Sequence, residues 1–299
     1  MTMALPATSL IICTRNRPRL LSDTVDSVLA GHEVPAEIII IDQSAQPHPT
    51  LATLKPDRAC AIHYVWSHSV GLSRARNEGL MAARHAWIAI IDDDMYVHLD
   101  WLGTLLRTLI EAGPRSVVTG QVRPSESEVA GGFVPSTIED QTPTVHQGRV
   151  LLEVLNAGNM ALHCSTIQDV GFFDERLGAG AAFRSAEDND LGYRLLEAGY
   201  RVLYVPEAIV YHRAWRSTRE YVPLRWSYGF GRGAFFAKHL HRHDRFMLRR
   251  MLTAFGQYTG RLIRYVLVRS RRQTLGDAVF ILGMFSGSMK WLLTETRSN

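Results

Sequence analysis

Asp92, Asp93 and Asp94 stand side by side in the stretch IAIIDDDMYV, residues 88–97, with apolar residues on both sides. Three adjacent carboxylates repel one another and lose hydration near a core, so they need a facing cation or hydrogen-bond donor. In an extended strand, residues two apart point the same way, which lets Asp92 and Asp94 converge on one site while Asp93 turns aside. Where the strand gives way to a loop that alternation loosens, and Asp93 can then join the site. Hard carboxylate oxygens without thiolates suit Mg²⁺ or Mn²⁺ better than zinc. A solvated acidic turn is the competing reading of three aspartates taken alone. It weakens here because the triplet follows an apolar run and Asp42 closes a second one, AEIIIID (36–42).

The elements that must carry these residues follow from periodicity. TSLIICT (8–14), AEIIIID and WIAIIDDD (87–94) read as buried strands, and SVVTGQV (116–122) as another. RLLSDTVDSVLAG (19–31) has Leu20, Leu21, Val25, Val28 and Leu29 on one helical face, and GLSRARNEGLMAARH (71–85) and residues 98–112 are further helices. Short β-branched runs alternating with helices predict a mostly parallel sheet covered by helices. In such open sheets ligands bind beyond the carboxyl ends of strands, where Asp42 and Asp92–Asp94 both fall. Residues 123–150 read as a long polar loop, of the kind used as a lid or substrate-binding segment. SAEDNDLGYRLLEAG (185–199) predicts a helix opened by a near capping box, Ser185 with Asp188. YRVLYV, Pro206 and AIVYH then read as paired extended segments ending at His212.

Charge divides the 299 residues. Residues 1–212 hold 16 Lys/Arg against 25 Asp/Glu, and residues 213–299 hold 17 against 4, for an overall +4. Strand signals also fade after 212. The expected organisation is therefore an acidic α/β body, 1–212, and a basic extension, 213–299, of two or three helices rich in Arg and aromatics. Three scattered cysteines with no zinc spacing fit a reducing, cytosolic setting. The N-terminus lacks a basic leader, and its apolar run reads as a first strand rather than a signal peptide.

Taken in order, SLIICTRNRPRLLSDTVDSV, AEIIIIDQSA, GLSRARNEGL, IAIIDDDM, AGNMALHCSTIQDVGFFDE and AEDNDLGYRLLEAGYRVLYVPEAIVYHR resemble the GT-A glycosyltransferases of family 2, over about residues 8–215. The resemblance implies a GT-A, Rossmann-like fold and an inverting, metal-dependent transfer from a nucleotide-diphosphate sugar, with a UDP-sugar expected. Thr14, Arg15, Asn16 and Arg17 would form the donor loop, Asp42 would read the base or ribose, and Arg76 would lie near the nucleotide. Asp92 and Asp93 would serve the ribose and diphosphate side, with Asp92 and Asp94 as metal ligands. Asp188 would be the general base, with Glu187 and Asp190 in support and Glu187 toward the acceptor. His212, 24 residues after Asp188, and Trp215 are similar to galactofuranosyl-transferring members, where the histidine completes the Mn²⁺ or Mg²⁺ shell and the tryptophan lines the acceptor site. Two departures stand out: Gln43 follows Asp42 where an acidic residue or Asn is usual, and VPLRW carries Val222 where processive synthases have Gln. One or a few sugars per encounter are expected, on a saccharide or lipid-linked acceptor of cell-surface polysaccharide or glycolipid synthesis.

RLIRYVLVRSRR (261–272) interleaves Arg with apolar residues, the mix of helices that lie on anionic bilayers. Peripheral placement on the inner face of the cytoplasmic membrane is thus expected, with no nucleic-acid partner and with a homo-oligomer left open. The apolar run 278–293 is too short and too interrupted for a membrane span. Two other classes fit parts of the sequence. A sugar-phosphate nucleotidyltransferase would share the sheet and the metal carboxylates but should open on a Gly-rich phosphate loop, and residues 13–19 hold no glycine. A catalytically silent nucleotide-sugar-binding protein would have no need to keep Asp94, Asp188 and His212 together.

Overall fold

Alternate residues of the apolar runs bury on opposite faces of one sheet, and the helices cover both faces. The computed structural model describes residues 5–53, 60–240 and 245–295. Its elements run β1 (Thr8–Thr14), α1 (Pro18–Leu29), β2 (Glu37–Asp42), β3 (Ala61–Trp66), α2 (Leu72–Ala82), β4 (Trp87–Asp92), β5 (Met95–Val97), α3 (Trp101–Ala112) and β6 (Ser116–Pro124). They continue with β7 (Thr144–His146), β8 (Asn159–His163), α4 (Cys164–Val170), α5 (Glu187–Glu197), β9 (Arg201–His212), α6 (Tyr221–His239), α7 (Arg245–Leu267) and α8 (Arg271–Glu295). Leu10, Ile12, Ile38, Ile40, Ala89 and Ile91 face α1 and α3, while Ile11, Ile39, Ile41, Ile88 and Ile90 face α2, α4 and α5. Each fully buried Leu or Ile contributes roughly 1.5–3 kcal/mol, so this double core is the main source of stability.

The sheet order is β3-β2-β1-β4-β8-β6-β9-β5, with β7 also on β9. β3, β2, β1 and β4 are parallel, as the alternating pattern predicts. Beyond β4 the sheet is mixed, because β8 runs antiparallel to both β4 and β6. β9 is one strand rather than two segments paired with each other. Both its halves pair with β6, and Pro206 sits in a register shift between them. That arrangement spares the ladder a missing N–H donor. The long connection after β6 holds β7, and β3 and β8 are strands the periodicity did not announce.

After His212 the described elements are helical. Residues 241–244, which belong to the helical runs expected there, lie outside the described residues. The C-terminal helices are not a detached unit: Phe235, Phe236, Met247, Phe280 and Met284 form one core with Ala186 and Tyr193 of the α5 region. Asp190, fully buried on α5, is held by Arg194 and by Lys238 and His239 of α6. These partners outweigh the effect of burial and hold its carboxyl down at about 2.

Glycines set the helix spacing. A Cβ on Gly233 of α6 would come within 1.9 Å of the Met284 carbonyl, and one on Gly287 of α8 within 1.9 Å of the Phe230 carbonyl. The two backbones therefore touch, and neither side can yield without moving a helix. By contrast, a Cβ on Gly256 of α7 meets open space. Gly233→Ala should destabilise the fold by about 1–3 kcal/mol in denaturant unfolding, whereas Gly256→Ala should be neutral or stabilising by up to about 1 kcal/mol. Equal effects of the two changes would contradict the close-packed α6–α8 seam.

Candidate active site

A cavity of about 680 Å³, a size suited to a small-molecule ligand, opens at the carboxyl ends of β1 and β4. The apolar strands deliver their terminal residues there. β4 stops at Asp92, and Asp93 and Asp94 form a turn before β5. The turn changes the expected pairing. Asp93 and Asp94 share Arg17, whose Nη1 lies 3.0 Å from Asp93 and 2.8 Å from Asp94, while Asp92 has a different arginine. Arg76 takes Asp92 at 2.7 Å and Glu187 at 3.2 Å, and is itself buried. Strand alternation ends with the strand, so Asp92 and Asp94 line one cavity but pair with different arginines.

Each carboxylate has its own electrostatic setting. Burial and the neighbouring Asp94 charge push Asp93 up to about 7, against the pull of Arg17 and the Thr14 hydroxyl, which donates to it at 2.6 Å. Burial acts upward on Asp94 too, but the His212 imidazole and Arg17 outweigh it and hold Asp94 below the usual carboxylate range. For His212, burial pulls downward and is overcome by Asp94, leaving the imidazole above its ordinary value.

Asp94 and His212 are the pair that fits a divalent cation. Asp94 Oδ1 lies 3.4 Å from His212 Nε2, and both side chains are buried against the cavity. His212 Nδ1 is 3.1 Å from the Pro135 carbonyl, which can only accept, so Nδ1 holds a proton in either charge state, and Nε2, which faces Asp94, would offer its lone pair to a cation that displaces the proton shared with that carboxylate. One carboxylate and one imidazole are a suitable donor set for Mn²⁺ or Mg²⁺, with the remaining positions left for substrate oxygens or water. Asp92 does not join them as a third ligand. Among the described residues no three His, Cys, Asp or Glu side chains gather as a metal cluster. Asp92 is paired with Arg76 instead.

Asp188 lines the cavity at the start of α5 and makes no ion pair among the described residues. Its carboxylate accepts from the Asn189 N–H at 2.8 Å. Burial, then the charges of Glu187 and Glu153, push it up to about 8. The expected capping box is absent. Ser185 instead donates to the Ser227 carbonyl of α6 at 3.0 Å, and Ala186 caps the helix at φ 75°. Gly231 of α6 is pressed onto Ser185, where its Cβ would lie 2.2 Å from the hydroxyl oxygen. That contact fixes Ser185, three residues before Asp188, and the next residue, Ala186, lies in the left-handed region, which costs on the order of 1–3 kcal/mol.

The other expected residues divide. Thr14, Arg15 and Arg17 line the cavity, but Asn16, at φ 57°, turns away so that its side-chain oxygen accepts from the Ala45 N–H. Asp42 does not line it either. Its carboxylate is taken by the Tyr64 hydroxyl and the Ser44 N–H, and Gln43 reaches the wall in its place, accepting from the Gly71 N–H and donating to the Gly71 carbonyl. Glu187 lines the wall but is engaged by Arg76. Trp215 donates its indole N–H to Ser125 in the connection after β6 and stays out of the cavity, whereas its neighbours Ala214 and Arg216 enter it.

Sequence reasoning missed a whole wall: Arg225, Tyr228 and Arg232 of α6, Tyr258 of α7 and Phe280 of α8. Arg232 pairs with Glu153 at 2.8 Å, and the Tyr228 hydroxyl meets Ser136 of the connection after β6 at 3.1 Å. The signal that could have found this wall is the Arg and aromatic content of the C-terminal helices.

Comparison with known proteins agrees with this architecture. A pre-mycofactocin glycosyltransferase of Mycobacterium tuberculosis is 31% identical over 169 residues, 54% of this chain and 34% of that protein, so the match spans about a third of the relative's length. Among solved structures, the mannosyltransferase PcManGT of Pyrobaculum calidifontis, in complex with GDP-Man and Mn²⁺, superposes with a TM-score of 0.60 at 16% identity, covering 97% of this chain and 88% of that one. S. aureus TarS 1-349 in complex with UDP-GlcNAc gives 0.56 at 15% identity, covering 92% and 90%. The family model described as Glycosyl transferase family 2 matches residues 9–164, more than half of the chain and the segment that carries β1, β4 and the aspartate triplet, and the chain belongs to that family.

Proposed function

We propose that this protein transfers a sugar, with inversion, from a nucleotide-diphosphate donor to an acceptor hydroxyl on a saccharide or lipid-linked molecule. The observation that carries the reading is the placement of Asp188, free of any ion pair among the described residues, in the same cavity as the Asp94–His212 pair. The attacking oxygen bonds to the anomeric carbon as the bond to the diphosphate breaks on the opposite face, and Asp188 takes the hydroxyl proton. A bound divalent cation would supply charge neutralisation for the departing diphosphate, held through Asp94 and His212. Arg15, exposed at the cavity edge, and Arg17 provide further positive charge on the donor side. Gln43, Thr14 and the turn at Gly71 shape the nucleotide end.

A UDP-sugar is the donor we infer, supported by the UDP-GlcNAc held by TarS, a protein of similar fold; PcManGT holds GDP-Man with Mn²⁺. A galactofuranosyl specificity is supported by His212 but not by Trp215, which points elsewhere. Transfer is favoured over nucleotidyl transfer because the loop after β1 has no glycine-rich phosphate cradle. Non-processive addition fits Arg225, whose guanidinium is tied to Asp277 at 2.7 Å.

Asp188→Asn should lower turnover by about 10²–10⁴-fold. It should leave thermal stability unchanged or higher near neutral pH, because a carboxyl raised to about 8 in the fold loses stability as pH climbs from its unfolded value of about 4 toward 8. Full turnover in the variant would exclude Asp188 as the base. The turnover of the unmodified enzyme should rise roughly tenfold per pH unit below about 8 and level off above it, and a flat profile from pH 6 to 9 would contradict the assignment. Chelation should cost about a hundredfold or more in release of the nucleotide, restored by Mn²⁺ or Mg²⁺.

A further inference from the structure

The outward face of α7 and α8 is more apolar than a helix facing water should be. From Ala278 to Met289 the sequence of α8 carries no charged residue. Gly276, Asp277, Phe280, Gly283, Met284, Gly287 and Trp291 form the inward face of α8. Leu275, Leu282, Phe285 and Met289 project from the opposite side, at 52, 59, 61 and 43% exposure. At 100° per residue these two sets are centred about half a turn apart, so the exposed stripe is a true second face. α7 repeats the pattern. It buries Met247, Arg250 and Ala254, while Leu252, Ile263 and Val266 are exposed. At the corner into α8, Leu267 and Val268 are 76 and 63% exposed, in a turn closed by Arg269 at φ 54°. Of 22 large apolar side chains exposed among the described residues, 12 lie on these two helices and the corner between them. Scattered exposed leucines need no explanation, but a continuous face does.

Positive charge rims that face. Arg249, Arg264, Arg269 and Arg271 are exposed and make no ion pair among the described residues. The acidic residues described on the two helices are Asp277, fully buried between Arg225 and Arg261, and Glu295, paired with Arg176. We infer that the outer face of α7 and α8 docks on an anionic lipid bilayer, with the Leu267–Val268 corner inserted and the four arginines at the phosphate level. Two copies of this face would set arginine against arginine, whereas an anionic bilayer satisfies the apolar stripe and the charge together. The helices lie on the membrane rather than cross it, since no described helix is long and apolar enough to span one. The inward side of α8 brings Phe280 to the cavity wall. Docking therefore sets the active site about one helix diameter, roughly 10 Å, from the lipid surface. The inference does not depend on the proposed transfer reaction.

The test is co-sedimentation of the full chain with vesicles of phosphatidylcholine alone or with 30% phosphatidylglycerol (about one anionic lipid in three). Binding to the anionic vesicles only, weakened by salt, is expected. Leu267→Glu with Val268→Glu should weaken it at least about tenfold, and each of Arg264→Gln, Arg269→Gln and Arg271→Gln about fivefold. All five sites are exposed and lie outside the cavity. Unchanged binding in the arginine variants, equal binding to neutral vesicles, or no binding to either would overturn the proposal. So would a dimer in sedimentation velocity that the Leu267/Val268 variant converts to monomer without any vesicle binding, which would assign the face to a second copy.

Discussion

Everything about the site follows from burying three consecutive carboxylates where β4 ends. Asp93 and Asp94 are 4 and 5% exposed, and Asp92 is partly buried beside them. Such a group is tolerated only where cations and donors face it. The chain supplies them from three distant segments: Arg17 from the loop after β1, Arg76 from α2 and His212 from the end of β9. The turn after Asp92 splits the triplet between two of these partners. One carboxylate is tied through Arg76 to Glu187, next to Asp188. The other two face Arg17 and His212, on the side where a donor diphosphate would lie. Charge compensation thus links the Asp94–His212 pair to the neighbourhood of Asp188 across the cavity.

The second constraint is the contact of α6 with the α5 N-terminus. Gly231 lets α6 sit on Ser185, and Gly233 and Gly287 let α8 sit on α6. The C-terminal helices thereby do two things with opposite faces. Inward, they complete the cavity with Arg225, Arg232, Tyr228, Tyr258 and Phe280. Outward, they present apolar and basic residues. A composition that reads as a tail with a surface task also supplies one wall of the cavity.

Much of this was legible before any coordinates. β1, β2 and β4 are continuous apolar runs of a length only a buried parallel strand uses, and the aspartates at their ends mark the ligand edge. α1 showed its face through Leu21, Val25 and Val28. What escaped depends on contacts far apart in sequence. β3 (Ala61–Trp66) and β8 lack strong runs and become strands by pairing. Ser185 looked like a cap because Asp188 is three residues on, but its hydroxyl donates instead to the Ser227 carbonyl of α6, 42 residues later. Asp42 looked free to read a nucleotide until Tyr64, from the unannounced β3, took its carboxylate. Asp92 and Asp94 looked like one side of a strand, but β4 stops at Asp92, two residues too early, and the two carboxylates pair with different arginines.

The central claim is that Asp94 and His212 hold a divalent cation against a nucleotide diphosphate. Mn²⁺ binding followed by electron paramagnetic resonance, with and without uridine diphosphate, addresses it without requiring turnover. The account predicts uptake of about one Mn²⁺ per chain that tightens when the nucleotide is added and is lost in Asp94→Ala and His212→Ala but kept in Asp188→Asn. Nucleotide binding that is indifferent to Mn²⁺, or Mn²⁺ uptake that survives both substitutions, would contradict it.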